Sequence, residues 1–228
     1  MFQKFKELFS SENLLDSAYT TTVTMLEFDL KMYNAARAVL RDQDTAELPF
    51  DIKKMDRQIN KYEREVRRNV LTHLTVAGNT NLVPGLVLVS IVIDVERIGD
   101  YTKNIVELAT MHEEMLKGGP FETALRDVEK TIDQHFPLTI QVLNTQDKER
   151  AREVMMAEDT TGKKSDAAVE SIITSLDHGL STSDAVCLAL YFRHLKRINA
   201  HLTNIVSAIV NPFPRIGFRE KPNGNNDD

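Results

Sequence analysis

Val95-Glu96-Arg97-Ile98-Gly99-Asp100-Tyr101-Thr102-Lys103-Asn104-Ile105 follows the most apolar run in the chain, Leu82 to Ile93. Its two carboxylates, Glu96 and Asp100, are four residues apart. On a helix that spacing places both on one face, one turn apart. An imperfect echo lies 100 residues on: Lys196-Arg197-Ile198-Asn199-Ala200-His201-Leu202-Thr203-Asn204-Ile205. Arg97/Arg197, Ile98/Ile198, Asn104/Asn204 and Ile105/Ile205 are identical in register, whereas Glu96 becomes Lys196 and Asp100 becomes Ala200. The chain therefore reads as a duplication in which one copy keeps its acidic pair and the other has lost it.

Working outward, residues 86–93 alone would also suit a buried strand. The apolar pattern continues through Val95, Ile98, Ile105 and Leu108 without a turn signal, so length decides for a helix over Leu82 to Met115, with Pro84 in its first turn. Before it, Ile52, Met55, Ile59, Tyr62, Val66 and Asn69/Val70 recur in steps of three and four, the seam of a bundle helix, until Gly78-Asn79-Thr80-Asn81 ends it. Leu14 to Leu40 is a third helical stretch, weakened by the β-branched run Thr20 to Thr24. Ser10 or Ser11 is placed to cap it.

Lys117-Gly118-Gly119-Pro120 marks the boundary between halves, and the plan then repeats. A helix from Phe121 to Leu143 is expected to kink at Pro137. Asp147 to Leu176 is expected to be interrupted at Gly162, and Asp184 to Val210 to be capped by Ser183 or Thr182. The Pro- and Gly-rich stretch from Pro212 reads as a tail without regular structure. The expected fold is all-α: two tandem antiparallel three-helix bundles, 10–117 and 120–211, with a flexible tail at 212–228.

Composition narrows the function. A net charge of -6 disfavours a nucleic-acid partner, which wants a basic face. The single cysteine, Cys187, forbids an intrachain disulfide and sits in an apolar stretch, as buried thiols do. Phe2, Lys4, Lys6 and Glu7 directly follow Met1 without a secretory leader pattern, so a cytoplasmic protein is expected, peripheral at most to the inner face of the membrane. Phe2, Phe5, Leu8 and Phe9 would suit either a docking foot or a turn packed on the bundle end.

In the first half, Asp56, Asn60 and Glu63 form a stripe beside the seam of the second helix. If that helix lies antiparallel to the next, Asp56, Asn60, Glu63, Glu96 and Asp100 can converge. Carboxylates at close quarters repel one another, which raises their pKa values or recruits a cation. Oxygen donors alone suit Mg²⁺, Mn²⁺, Ca²⁺ or iron better than structural zinc. The competing reading is a solvated face paired with Arg57, Arg64 and Arg97. Enzymatic chemistry is not supported: no histidine has a Glu three residues before it, as di-iron bundles require, and there is no P-loop and no G-x-S-x-G. His194 and His201 share a face of the last helix and are read as partly exposed.

The duplicated Glu-Arg-Ile-Gly-Asp…Asn-Ile pattern after an apolar helix, with the D-x-x-x-N-x-x-E stripe upstream, resembles the PhoU family of phosphate-transport regulators. The resemblance implies two tandem three-helix bundles, a non-enzymatic protein and multinuclear metal clusters held by E(D)xxxD motifs. It also implies cytoplasmic contact with a membrane phosphate transporter and its sensor histidine kinase. Carried over, it gives Glu96 and Asp100 on the third helix and Asp56, Asn60 and Glu63 on the second as metal ligands for Fe, Mn, Mg or Zn. The second half departs from the pattern. Shifted by 103 residues, Asp56 meets Asp159, Asn60 meets Lys163 and Glu63 meets Asp166, while Lys196 replaces Glu96. One metal site or cluster, in residues 50–105, is therefore expected, in a homodimer. The alternative is a helical adaptor or dimerisation module whose carboxylates are only a solvated face.

Overall fold

The computed structural model describes residues 11–43, 47–79, 81–112, 114–175, 177 and 179–221. The apolar N-terminal segment singled out above, the Ser10 cap and residues 222–228 lie outside them. Six helices follow in order: α1 (Ser11–Arg41), α2 (Ile52–Ala77), α3 (Leu82–Met111), α4 (Glu122–Thr145), α5 (Lys148–Thr174) and α6 (Thr182–Val210). Within each half the three helices contact one another, α1–α2–α3 and α4–α5–α6. Two antiparallel three-helix bundles result, as the periodicity predicts. None of the described helices is long and apolar enough to cross a membrane.

Local chemistry explains the ends. Asp51 caps α2 by accepting from the Lys54 N–H. Gly78 ends the same helix at φ 65°, a left-handed conformation that favours glycine. Asp147 caps α5. The weak run in α1 stays helical, with the Thr22 and Thr24 hydroxyls bonding back to the carbonyls four residues earlier.

Four expectations are corrected. Helix α3 stops at Met111, where the His112 N–H closes on the Leu108 carbonyl. Ser181, not Thr182 or Ser183, caps α6, its hydroxyl accepting from the Asp184 N–H. Gly162 does not interrupt α5; it is buried inside a continuous helix. Residues 212–221 are not a free tail. Phe213–Arg215 forms a 3₁₀ turn, Asn211 donates to the Arg215 and Phe218 carbonyls, and Arg152 and Glu220 make two bonds of 2.7 Å. Pro137 lies inside α4, which spans it as one helix.

The duplication is visible in burial. Every buried position of α4 has a buried counterpart 103 residues earlier in α1. Ten buried positions of α6 match buried positions of α3 100 residues earlier. The halves are joined where these equivalent helices meet, α1 with α4 and α3 with α6. At the first seam Arg41, nearly buried, bonds Glu129 (2.9 Å), Glu122 (2.7 Å) and the Leu116 carbonyl, while Tyr191 donates to Glu129. At the second, Tyr101 stacks on His201 and meets His194 at a tilt, and Asp94 accepts from His201 (2.7 Å) and Asn204 (3.0 Å). These histidines are thus interhelical contacts between the halves.

Two measurements test this packing. A Cβ at Gly162 would meet only the Lys196 stem at 3.7 Å and a Glu158 oxygen at 3.8 Å, ordinary contacts. Gly162→Ala is therefore expected to raise unfolding free energy by about 0.5–1 kcal/mol in urea titrations. Burial depresses the pKa of His135, partly offset by its hydrogen bond to Asn199 (2.9 Å). The unfolded chain then binds this proton more readily than the native protein. Its contribution is fully present above about pH 6.5 and is lost as pH falls through the lower folded value. Between pH 7.5 and 5, His135→Gln, which keeps a donor for Asn199, is expected to lose less stability than the wild type.

Candidate functional site

The motif face of α3 looks onto α1 and α2. Of the five residues predicted from sequence, Asp56 and Asp100 are brought together, but through an ammonium group. Lys103 donates to Asp56 Oδ1 and to Asp100 Oδ1, each at 3.0 Å, and so bridges α2 and α3. Glu96 and Asp100 are close enough that Asp100 raises the Glu96 pKa, second only to burial. Arg97, half exposed, lies 3.6 Å from Glu96 and 3.2 Å from Asp100. Asn60 turns back on its own helix and donates to the Asp56 carbonyl at 3.0 Å. Glu63 pairs with Arg67 at 2.7 Å.

Asp29 on α1, not singled out from the sequence, completes the set. It is 0% exposed, and neither carboxyl oxygen has a hydrogen-bond partner among the described residues. Burial pushes its pKa well above the usual carboxylate range, and the charges of Glu96, Asp100 and Asp56 push it further. Gly99 makes room for it: a Cβ there would sit 2.9 Å from Asp29 Oδ1 and 3.2 Å from Ile59 Cδ1. The glycine between the two motif acids is thus the point where the Asp29 carboxyl meets the α3 backbone. One signal pointed to Asp29: it occupies a core position of α1, in the series Met25, Leu26, Asp29, Met32, Tyr33.

The second half closes the same space with protein. Ile132 stands 103 residues after Asp29, and Asn199 stands 100 after Gly99. Both are buried, and Asn199 accepts from the His135 ring. Among the described residues, the position of the Asp29 carboxyl is thus taken in the second half by an apolar side chain.

A hard cation suits this donor chemistry, since every group is an oxygen donor and Asp29 is a buried carboxyl without a partner. The side-chain placement is closed around Lys103, and among the described residues no three His, Cys, Asp or Glu side chains stand together as a metal-ligand set.

An all-helical chain with a duplicated three-helix bundle and an acidic face on the third helix belongs to a narrow class. The model of the PhoU domain matches residues 22–109 and again 125–209, so the chain belongs to the PhoU family. The crystal structure of PhoU from Pseudomonas aeruginosa superposes with a TM-score of 0.77 at 20% identity, covering 88% of this chain and 97% of that one. The phosphate transport system regulatory protein PhoU from Streptococcus pneumoniae gives 0.75 at 18% identity, with 88% and 95% covered. No curated protein sequence matches.

Gly99→Ala tests the close approach. Helix propensity alone would favour alanine by about 1 kcal/mol. Contact with the buried Asp29 carboxyl reverses the sign, and a net loss of about 1–3 kcal/mol is expected in urea unfolding.

Proposed function

We propose that this protein regulates phosphate uptake and phosphate-responsive signalling, docking from the cytoplasmic side on a membrane phosphate transporter or its sensor kinase without catalysing a reaction itself. The observation that carries this reading is the double match to the PhoU domain, whose first stretch includes Glu96, Gly99 and Asp100 on α3. In the same reading the first bundle holds a divalent or iron-type cation. Asp29, Asp56, Glu96 and Asp100 would be its ligands, and Asn60 and Glu63, occupied on their own helix, its neighbours. Bound there, the cation supplies positive charge that neutralises the carboxylates and ties three helices together. The second bundle, with Lys196 and Ala200 in the motif positions, serves structure or partner contact.

The competing reading, a helical adaptor with a self-satisfied face, draws on the Lys103 bridge. Two experiments separate them. Deletion of the gene is expected to change phosphate uptake and the response to phosphate starvation, and affinity capture from phosphate-replete membranes to recover a phosphate-transport component. Unchanged uptake together with capture of no such component would sink the regulatory reading. Metal analysis of protein purified without chelator is expected to find metal, most of it lost in Glu96→Ala/Asp100→Ala. Equal metal content in that variant would remove the cation from the proposal.

A further inference from the structure

We propose that Lys103 is a tethered cation that competes with metal for the acidic face of the first bundle, so that a metal enters only by displacing its ammonium. This rests on the cation-site reading above. The Lys103 ammonium engages one oxygen of Asp56 and one of Asp100 at 3.0 Å each. Those oxygens belong to two of the four groups a cation would use. An oxygen that accepts from an ammonium has its lone pair engaged, and a divalent ion held by the same pair of carboxylates would repel the ammonium. Loading is therefore an exchange of one cation for another.

The second half shows the same device carried to completion. Asp166, the counterpart of Glu63, is held by Lys196 at 2.5 Å and by Arg193 at 3.1 Å. Asp159, the counterpart of Asp56, is held by Arg219 from the C-terminal segment. Each half thus neutralises its acidic stripe with the chain's own cations, although the residues differ: Lys103 corresponds to Thr203, and Lys196 to Glu96.

What distinguishes the first half is what the lysine leaves uncovered. Asp29 is fully buried, and among the described residues neither of its oxygens has a hydrogen-bond partner. Its counterpart, Ile132, asks for none. An ammonium on a four-carbon stem reaches Asp56 and Asp100 but makes no bond to Asp29 among the described residues. Among the described residues, a metal ion has in the first bundle a fully buried carboxyl without a hydrogen-bond partner to gain, whereas the buried carboxyl of the second, Glu129, is already held by Arg41 and Tyr191. The Lys103 side chain is 28% exposed, so its stem can swing to water when displaced.

The test is a calorimetric titration of Mn²⁺ into chelator-stripped full-length wild type, Lys103→Met and Lys196→Met, with circular-dichroism melts to verify folding. Lys103→Met is expected to bind Mn²⁺ about tenfold more tightly or better, since each charge-assisted hydrogen bond removed is worth about that factor. Lys196→Met is expected to bind like the wild type. A second readout uses the wild type alone, in case the variant folds poorly. Amine acetylation followed by mass spectrometry is expected to label Lys103 more heavily at saturating Mn²⁺ than without metal, and Lys196 equally in both. Equal Mn²⁺ affinity for wild type and Lys103→Met, or Lys103 labelling that ignores Mn²⁺, overturns the lysine's role and leaves the cation site standing. No Mn²⁺ binding by any of the three proteins overturns both.

Discussion

The packing of α3 against α6 constrains everything else in this chain. Each of these helices is buried along most of its length because it serves two neighbours, its own bundle and the equivalent helix of the other. That accounts for Leu88, Ile91 and Val92 of the apolar run that opens α3, which are buried, whereas Leu82, Val83 and Ile93 of the same run stay exposed. It also limits where chemistry can sit. Tyr101 and Asp94 are committed to α6, and Ile98, Thr102 and Ile105 to the core. Glu96, Asp100 and Lys103 occupy the remaining stripe, the one that meets α2 and α1.

The two halves resolve the same geometric problem in opposite ways. In the second, the space beside the motif helix is filled: Ile132 is apolar, and Asn199 and His135 satisfy each other. In the first, Gly99 withdraws its side chain and a carboxyl takes the room. A glycine inside a helix costs about 1 kcal/mol, and a buried carboxyl without a partner costs more. Both occur at one point, where stability alone favours neither, and the proposed cation would offset the second cost. The comparison between halves is internal to one chain, so it needs no relative to interpret it.

Much of this was legible from the residues because it is local. Steps of three and four in α2, the Gly-rich stops at residues 78–81 and 117–120, and the repeat of Arg-Ile…Asn-Ile fix helix number and order through short-range chemistry. The misreadings came from applying local rules where tertiary contact decides. Gly162 looked like a break, yet packing carries α5 through it. The segment from Pro212 looked unstructured, yet Arg219 and Glu220 anchor it to α5. His194 and His201 are partly exposed, as read; what their sequence did not reveal is the Tyr101 ring of α3 against both. Asp29 was missed for a related reason. An acid between Phe28 and Leu30 has no motif around it, and its meaning appears only when its core register and Gly99 are seen together.

The placement of the charged stripe bears on how the proposed cation site could be coupled to the second bundle. Asp100 and Tyr101 are adjacent in sequence and meet different neighbours, one Lys103 beside α2, the other His194 and His201 of α6. The helix between them is packed on both sides and has little freedom to absorb a shift locally. On the proposed reading, a compact ammonium bonded to two carboxylates and a metal held by four would make different demands on the spacing of α1, α2 and α3. Any resulting adjustment of α3 would fall on its contact with α6 and therefore on how the bundles sit against each other. Affinity for a docked partner can respond only so far as the partner distinguishes those two arrangements. The relation between the two bundles is thus the structural quantity through which a cation in the first could be sensed at the second.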